Sequence, residues 1–252
     1  MPREAIHRTA ALIRHNTMLM LREPGPLASR MILPLAFLLL LHPLYQQAQG
    51  PGRGVTQAVI ATLVTFSLLA MSVVGSSILT ERIWRTWDHV RATGVHPVEM
   101  LIGKAVPVIA ALLSQQAVVI VFGVGVLGLT ISGLPLLVLA LLAWTSALVG
   151  MGAAIGLLVG SLSAMGACYD IGGMILSSLG GALVPLTVMP LWIRHVAPAS
   201  PGYWAVTALE AALRDNAGRT FAASGVLLGF ALAACLVAAL RASRGWGRSA
   251  RL

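Results

Sequence analysis

Sixty-five consecutive residues, 105–169, contain no Asp, Glu, Lys, Arg or His. A soluble domain carries roughly one charged residue in four, and a chain folding in water cannot hide an uncharged run of that length. Lipid is the solvent that accommodates it, since a helix crosses the hydrocarbon core with about 20 apolar residues. The run is long enough for two crossings, with Gly128, Ser132, Gly133 and Pro135 marking the turn between them. Four further stretches lack acidic residues, Lys and Arg: 31–52, where His42 is the one titratable exception, 54–80, 171–193 and 220–240. These runs predict an all-α polytopic membrane protein: a single domain over 1–252 with six transmembrane helices at about 28–46, 56–80, 99–127, 134–160, 169–191 and 221–241.

The 252 residues are 58% hydrophobic and 10% charged, with a net charge of +9. In a soluble protein that charge would suggest nucleic acid, but no basic face interleaved with aromatics exists here, so no nucleic-acid partner is expected. The basic residues cluster between apolar runs, where they set topology. With the N-terminus inside, the inner segments hold thirteen of the seventeen Arg and Lys residues and the outer segments four. Both termini are therefore expected in the cytoplasm, in a multi-pass protein of the bacterial cell (plasma) membrane. Trp192, Tyr203 and Trp204 then fall at the outer interface and Trp84, Trp87 and Trp246 near the inner one, as aromatic belts do. Thirty residues with five arginines precede the first apolar run, too long a basic segment for a signal peptide.

Three segments do more than connect spans. Residues 3–23 read as an amphipathic helix lying in the interface, with Ile6, Ala10, Ile13, Thr17 and Met20 along one stripe and Arg8, His15 and Arg22 opposite. It serves as an anchor or also touches a cytoplasmic partner. The segment 81–99 carries three of the eight acidic residues, more charge than a hairpin needs, and reads as a solvated loop or a docking element. Pro97 suits the first position of the third span, and Glu99 favours the positive end of that helix. Residues 194–220, broken by Pro198, Pro201 and Gly202, read as a pair of short outer helices at the surface, with Glu210 and Arg214 as an i,i+4 pair.

Within the spans, Gly152, Gly156 and Gly160 recur every four residues, a face for close helix packing. Gly180, Gly181 and Pro185 suggest a kinked or discontinuous fifth span. Cys168 and Cys235 lack metal-ligand spacing and read as small packing residues.

Several of these segments resemble the ABC-2 family of permeases, the membrane subunits of type-2 ABC exporters. The loop after the second span supplies Glu81-Arg82, Thr86-Trp87-Asp88, Thr93-Gly94-Val95-His96-Pro97-Val98-Glu99 and Gly103-Lys104. Gly181-Ala-Leu-Val-Pro185, Pro190-Leu-Trp192 and Pro201-Gly-Tyr-Trp-Ala205 are similar to the family's fifth-span and outer-loop pattern. Arg85, Asp88, Gly94 and His96 depart from the usual Gly, Glu, Pro and Ser. The resemblance implies an ATP-driven exporter of a hydrophobic or amphipathic small molecule, drug- or antibiotic-like, with multidrug efflux or antibiotic resistance as the setting. It implies a separate ABC ATPase partner holding ATP and Mg, and a second permease chain, identical or related. It also implies that Glu81, Arg82, Thr86, Asp88, Arg91, Thr93, Pro97 and Glu99 form the ATPase-coupling element, while Gly152, Gly156, Gly160, Gly181 and Pro185 serve helix packing. No substrate-binding residue is assigned.

The chain itself is expected to bind no cofactor or metal and to have no catalytic residues. Gly103-Lys104 is not a phosphate-binding loop, because position 98 is Val and position 105 is Ala. A lipid or lipid-linked glycan exporter is the alternative reading. An ion-coupled transporter is a further one, but its intramembrane carboxylates are lacking apart from Asp170, which the expected boundaries place at the inner end of the fifth span. Hydrolase motifs are absent. Thr56, Thr62, Thr65, Ser67, Ser72, Ser114, Ser177 and Ser178 scatter through the spans and suit an amphipathic cargo.

Overall fold

Backbone groups inside hydrocarbon must satisfy one another, and a chain without alternating polarity does so as helix. The computed structural model describes residues 2–22, 24–84 and 97–243, and its regular elements there are all helical. The helices are α1 Pro2–Arg22, α2 Pro24–Gln49, α3 Pro51–Ala70, α4 Ser72–Trp84, α5 Pro97–Leu127, α6 Leu134–Leu158, α7 Leu162–Leu179, α8 Leu191–Val196, α9 Pro201–Leu213 and α10 Ala217–Ser243. Short 3₁₀ turns at Leu186–Val188 and Ala197–Ala199 flank α8. Six segments are long and apolar enough to cross a membrane, in α2, α3 with α4, α5, α6, α7 and α10. Residues 84 and 97 mark the base of the bundle, and the turn at Gly50 and residues 180–216 mark its top.

Span two is one crossing made of two helices. α3 and α4 join at Met71, whose N–H reaches the carbonyls of Ser67 and Leu68 at 3.1 and 3.2 Å, while Val74 N–H reaches Met71 O at 3.1 Å. This local 3₁₀ tightening divides the span without reversing it, a feature that often marks a hinge. α3 is the bundle's axis, with Ala58, Val59, Ala61, Val64 and Leu68 fully enclosed. The outward faces of α2 and α10 instead expose Leu33, Leu40, Leu232 and Leu236, which is the inside-out polarity a lipid solvent demands.

The fifth span differs from the expected 169–191. α7 begins at Leu162, where the Ser161 hydroxyl caps it by accepting from Ala164 N–H at 3.3 Å, and ends at Leu179. Gly181 then takes a left-handed φ of 79° that a side chain would resist. Asp170 therefore lies inside the helix on an exposed face, not at its boundary. The outer helices also differ from a pair lying at the surface. α8 is exposed, but α9 inserts among α3, α6, α7 and α10, burying Ala205, Ala208, Leu209 and Ala212 completely. Its small residues make the insertion fit; Tyr203, Trp204, Val206 and Glu210 keep a part-exposed flank, and Glu210 pairs with Arg214 at 2.6 Å. Cys168 and Cys235 are exposed on α7 and α10 rather than packed inside.

Candidate functional site

Four of the eight residues that the resemblance implies for coupling, Glu81, Arg82, Pro97 and Glu99, lie on described helices at the base. α4 carries Glu81 and Arg82 on its last turn, and Pro97 opens α5 with Glu99 in its first turn. Thr86, Asp88, Arg91 and Thr93 lie outside the described residues. What is visible is how the two legs of this segment are held. Lys104, the chain's single lysine, donates from Nζ to the Ser77 carbonyl at 3.0 Å and so ties the start of span three to the end of span two. A lysine at a helix carbonyl is a charge-assisted bond, about twice as strong as a neutral one.

The preceding residue makes the second tie. Gly103 sits so close to α1 that a Cβ there would lie 2.7 Å from Leu12 Cβ, and its carbonyl accepts from Asn16 Nδ2 at 3.0 Å. The amphipathic helix is therefore packed along α5 rather than free in the interface. Its half-buried face runs through Ala5, Thr9, Leu12, Ile13, Asn16, Thr17 and Met20, so it keeps Ile13, Thr17 and Met20 of the expected stripe but leaves Ile6 and Ala10 exposed, and Leu19 and Leu21 are exposed as well. The Gly-Lys pair and Asn16 thus join α1, α4 and α5 near the base, where α4 ends at Trp84 and α5 begins at Pro97. Sequence reasoning singled out Gly103-Lys104 only by resemblance and did not use Asn16; a lone Asn among the apolar residues of an interfacial helix was the available signal.

Above these ties, α4 threads a notch cut by glycines. A Cβ on Gly75 would lie 1.7 Å from the Tyr169 hydroxyl oxygen, and one on Gly156 would lie 2.8 Å from the Gly75 carbonyl oxygen. Gly152 faces Val74 and Met71 with the same closeness, 2.8 and 3.0 Å. Tyr169, fully buried, spans the crossing and donates its hydroxyl to the Gly152 carbonyl at 3.0 Å. Gly152 and Gly156 thus meet α4 of the same chain, whereas Gly160 has no neighbour within 4 Å of a built Cβ.

One turn above Met71 the bundle is cross-linked by polar side chains. Gln116 Nε2 donates to Ser67 Oγ at 3.2 Å, Thr145 donates to Gln116 Oε1 at 3.3 Å, and Thr65 and Ser177 share a bond of 2.5 Å. All are buried. Ser67, Thr65 and Ser177, which the sequence suggested as suited to an amphipathic cargo, are instead occupied in joining α3 to α5 and α7. Interhelical bonds of this kind contribute about 0.6 kcal/mol each in lipid.

At the top, the break after α7 is latched from the first two spans. Gln57 Nε2 donates to the carbonyls of Gly181 and Ala182 at 3.1 and 2.8 Å, and the Tyr45 hydroxyl donates to Leu183 O at 2.6 Å. These bonds serve carbonyls that the broken helix leaves without partners. Gly181 packs on Leu186, with 2.8 Å from a built Cβ to Cγ, and Pro185 begins the 3₁₀ turn. Gly180 and Gly202 let α7 and α9 approach backbone to backbone, and Ser200 Oγ donates to Leu176 O at 2.9 Å.

Among the described residues no group of His, Cys, Asp or Glu could hold a metal ion. A family model described as "ABC-2 type transporter" matches residues 7–213, from the packed amphipathic helix to the end of α9. Comparison with individual curated proteins finds no match.

Proposed function

The chain belongs to the ABC-2 type transporter family, and from that premise we propose that it is the permease of an exporter driven by a separate ABC ATPase. The observation that carries the proposal is the base of the bundle, where Lys104–Ser77 and Asn16–Gly103 bind three helices together beside the charged 81–99 segment. Force applied to that segment reaches α4 directly. α4 cannot slide past α6 and α7 without disturbing the Gly75, Gly152, Gly156 and Tyr169 crossing, so it moves with them as a unit. Met71, with its tightened backbone, is the point where that unit pivots against α3. ATP and Mg are held and hydrolysed on the partner chain; closure of the partner tilts the base while the polar cross-links hold the upper bundle.

The cargo is a hydrophobic or amphipathic small molecule, in keeping with the apolar exteriors of the described spans. A second permease chain completes the path, in a bacterial plasma membrane with both termini cytoplasmic. The exposed carboxylate of Asp170, set among the exposed Ile171, Met174 and Ile175 on α7, supports an α7 face turned toward water or protein rather than lipid.

The test is charge reversal in the coupling segment. Asp88→Arg and Glu99→Arg are expected to reduce ATPase co-purification or abolish cargo-stimulated hydrolysis, with expression and membrane insertion unchanged. A like-charge clash in such an interface costs several kcal/mol, while a tenfold loss of affinity needs only about 1.4 kcal/mol. Arg53→Glu, at the opposite end, should do neither. Normal ATPase association and turnover in both variants would refute docking at this segment.

A further inference from the structure

We propose that a crevice near the base of α2, walled by Arg30, Gln115 and Phe66, binds the anionic head of an amphiphile: a phosphate or carboxylate carried on a hydrocarbon chain. The crevice opens between α2, α3 and α5, holds about 130 Å³, and is completed by Ser29, Leu33 and Leu69. Arg30 is half-buried there and forms no hydrogen bond or ion pair with any described residue. Gln115 is 4% exposed, yet its amide has no hydrogen-bond partner among the described residues, unlike its neighbour Gln116, which is fully used in the polar cross-link. The Gln115 amide is not sealed off but opens on the crevice, so it and the guanidinium present donors to one apolar-walled space and stay unmatched by protein unless something accepts from both. An anionic oxygen does so: the guanidinium offers a two-pronged donor set and the amide one more.

The surrounding surface suits a hydrocarbon chain attached to that head. Above the crevice, α2 exposes Leu33 and Leu40, and the inner wall is Phe66 and Leu69. A hydrocarbon chain lying along α2 therefore meets apolar surface while its head meets Arg30. Depth agrees: Arg30 is the sixth residue of the span that begins at Gly25, about 8 Å along the helix axis, where a lipid-borne head group can descend. A free inorganic anion would gain nothing from those walls. The inference depends only on the chain lying in a membrane, not on the exporter reading, so either can fail alone.

Full-length protein reconstituted in nanodiscs of mixed phosphatidylglycerol and phosphatidylcholine, then extracted and examined by mass spectrometry for retained lipid, tests it. Wild type is expected to retain phosphatidylglycerol over phosphatidylcholine. Arg30→Gln should lower that preference about tenfold, Gln115→Leu should lower it less, and Arg30→Lys should keep most of it. Addition of dodecyl phosphate separates the sources. Displacement at micromolar concentration marks a site that exchanges amphiphiles, as a cargo site does; resistance marks a resident membrane lipid. A second measurement is independent of the Arg30 variants' folding. In a background lacking Cys168 and Cys235, Ser29→Cys should react faster with an anionic thiosulfonate than with a cationic one, and dodecyl phosphate should protect it. Equal retention of both lipids by wild type and Arg30→Gln, with Ser29→Cys indifferent to reagent charge, would overturn the proposal and leave Arg30 reaching out to the interfacial water. Unchanged lipid retention, with Arg30→Gln and Asp170→Asn each dissociating a dimer, would overturn it in favour of a carboxylate from a second copy.

Discussion

Adding one methyl group at Gly75 is the sharpest probe of the proposed lever. A Cβ there would lie 1.7 Å from the Tyr169 hydroxyl oxygen, 2.7 Å from Cζ and 3.0 Å from Cε2. Ordinary contact needs about 3.5 Å, so the phenol must retreat by nearly 2 Å or α4 must leave its notch. Tyr169 is wholly enclosed, so its retreat must displace neighbouring side chains. Overpacking of this kind costs about 1–3 kcal/mol, and retreat breaks the bond to the Gly152 carbonyl, worth about 1 kcal/mol more. The expected loss for Gly75→Ala is therefore about 2–4 kcal/mol, or roughly 5–15 °C in apparent melting temperature at this chain length. The assay is thermal unfolding of the detergent-solubilised protein at a fixed scan rate, with monodispersity by size exclusion. Tyr169→Phe alone loses only the hydrogen bond and should fall by about 2–4 °C. Because it removes the nearest colliding atom and leaves only the milder contacts of the ring, the double variant should be more stable than the sum of the singles by about 1 kcal/mol. A Gly75→Ala protein melting within about 2 °C of wild type, or strict additivity in the double variant, would show that the crossing is looser than argued and that α4 is free to slide.

Two further perturbations separate the contacts around this lever. Gly156→Leu drives a side chain into the Gly75 backbone and should sharply reduce folded yield, whereas Gly160→Leu, with open space around it, should leave yield unchanged; equal yields would detach the glycine face from folding. Asn16→Ala should release α1 from α5 at a cost of about 1 kcal/mol, read as faster amide exchange over residues 9–20 with the bundle unaffected; unchanged exchange there would mean that the Leu12–Gly103 contact alone holds the helix.

Charge placement made the architecture legible. All the charged residues inside the six spans except Arg30 and Asp170 lie within three residues of a span's end, so breaks in charge locate six crossings almost without reference to propensity, and a chain without alternating polarity crosses lipid as helix. The same logic failed at the fifth span because charge was the wrong signal there. Asp170 looked like a boundary, yet Ser161 starts the helix nine residues earlier, and a cap of that kind is decided by one hydroxyl rather than by hydropathy. α9 was misplaced for a related reason. Its Glu210 and Arg214 advertise a surface, whereas Ala205, Ala208 and Ala212 are as compatible with a lipid-facing helix as with an inserted one until the neighbouring helices are known. At the base, periodicity gave α1 an apolar stripe, but the face that packs contains Asn16. What decides the orientation there is a long-range bond to Gly103, eighty-seven residues away, and no local pattern carries that information.

The glycines illustrate the limit most sharply. Gly152, Gly156 and Gly160 are equivalent in sequence, yet the first two form a notch and the third meets nothing. The partner that distinguishes them is Gly75, an isolated glycine in span two with no motif around it. A close crossing needs a small residue on both helices, and sequence spacing reveals only the helix on which small residues repeat. Gly75 is also the residue whose neighbour, Tyr169, lies beside the one carboxylate of span five. A shift of α4 against Tyr169 would therefore be felt at Asp170 on the exposed side of the same helical turn. That proximity gives force from the base a route to the face that a second chain or a cargo would meet, through contacts rather than through any flexible linker.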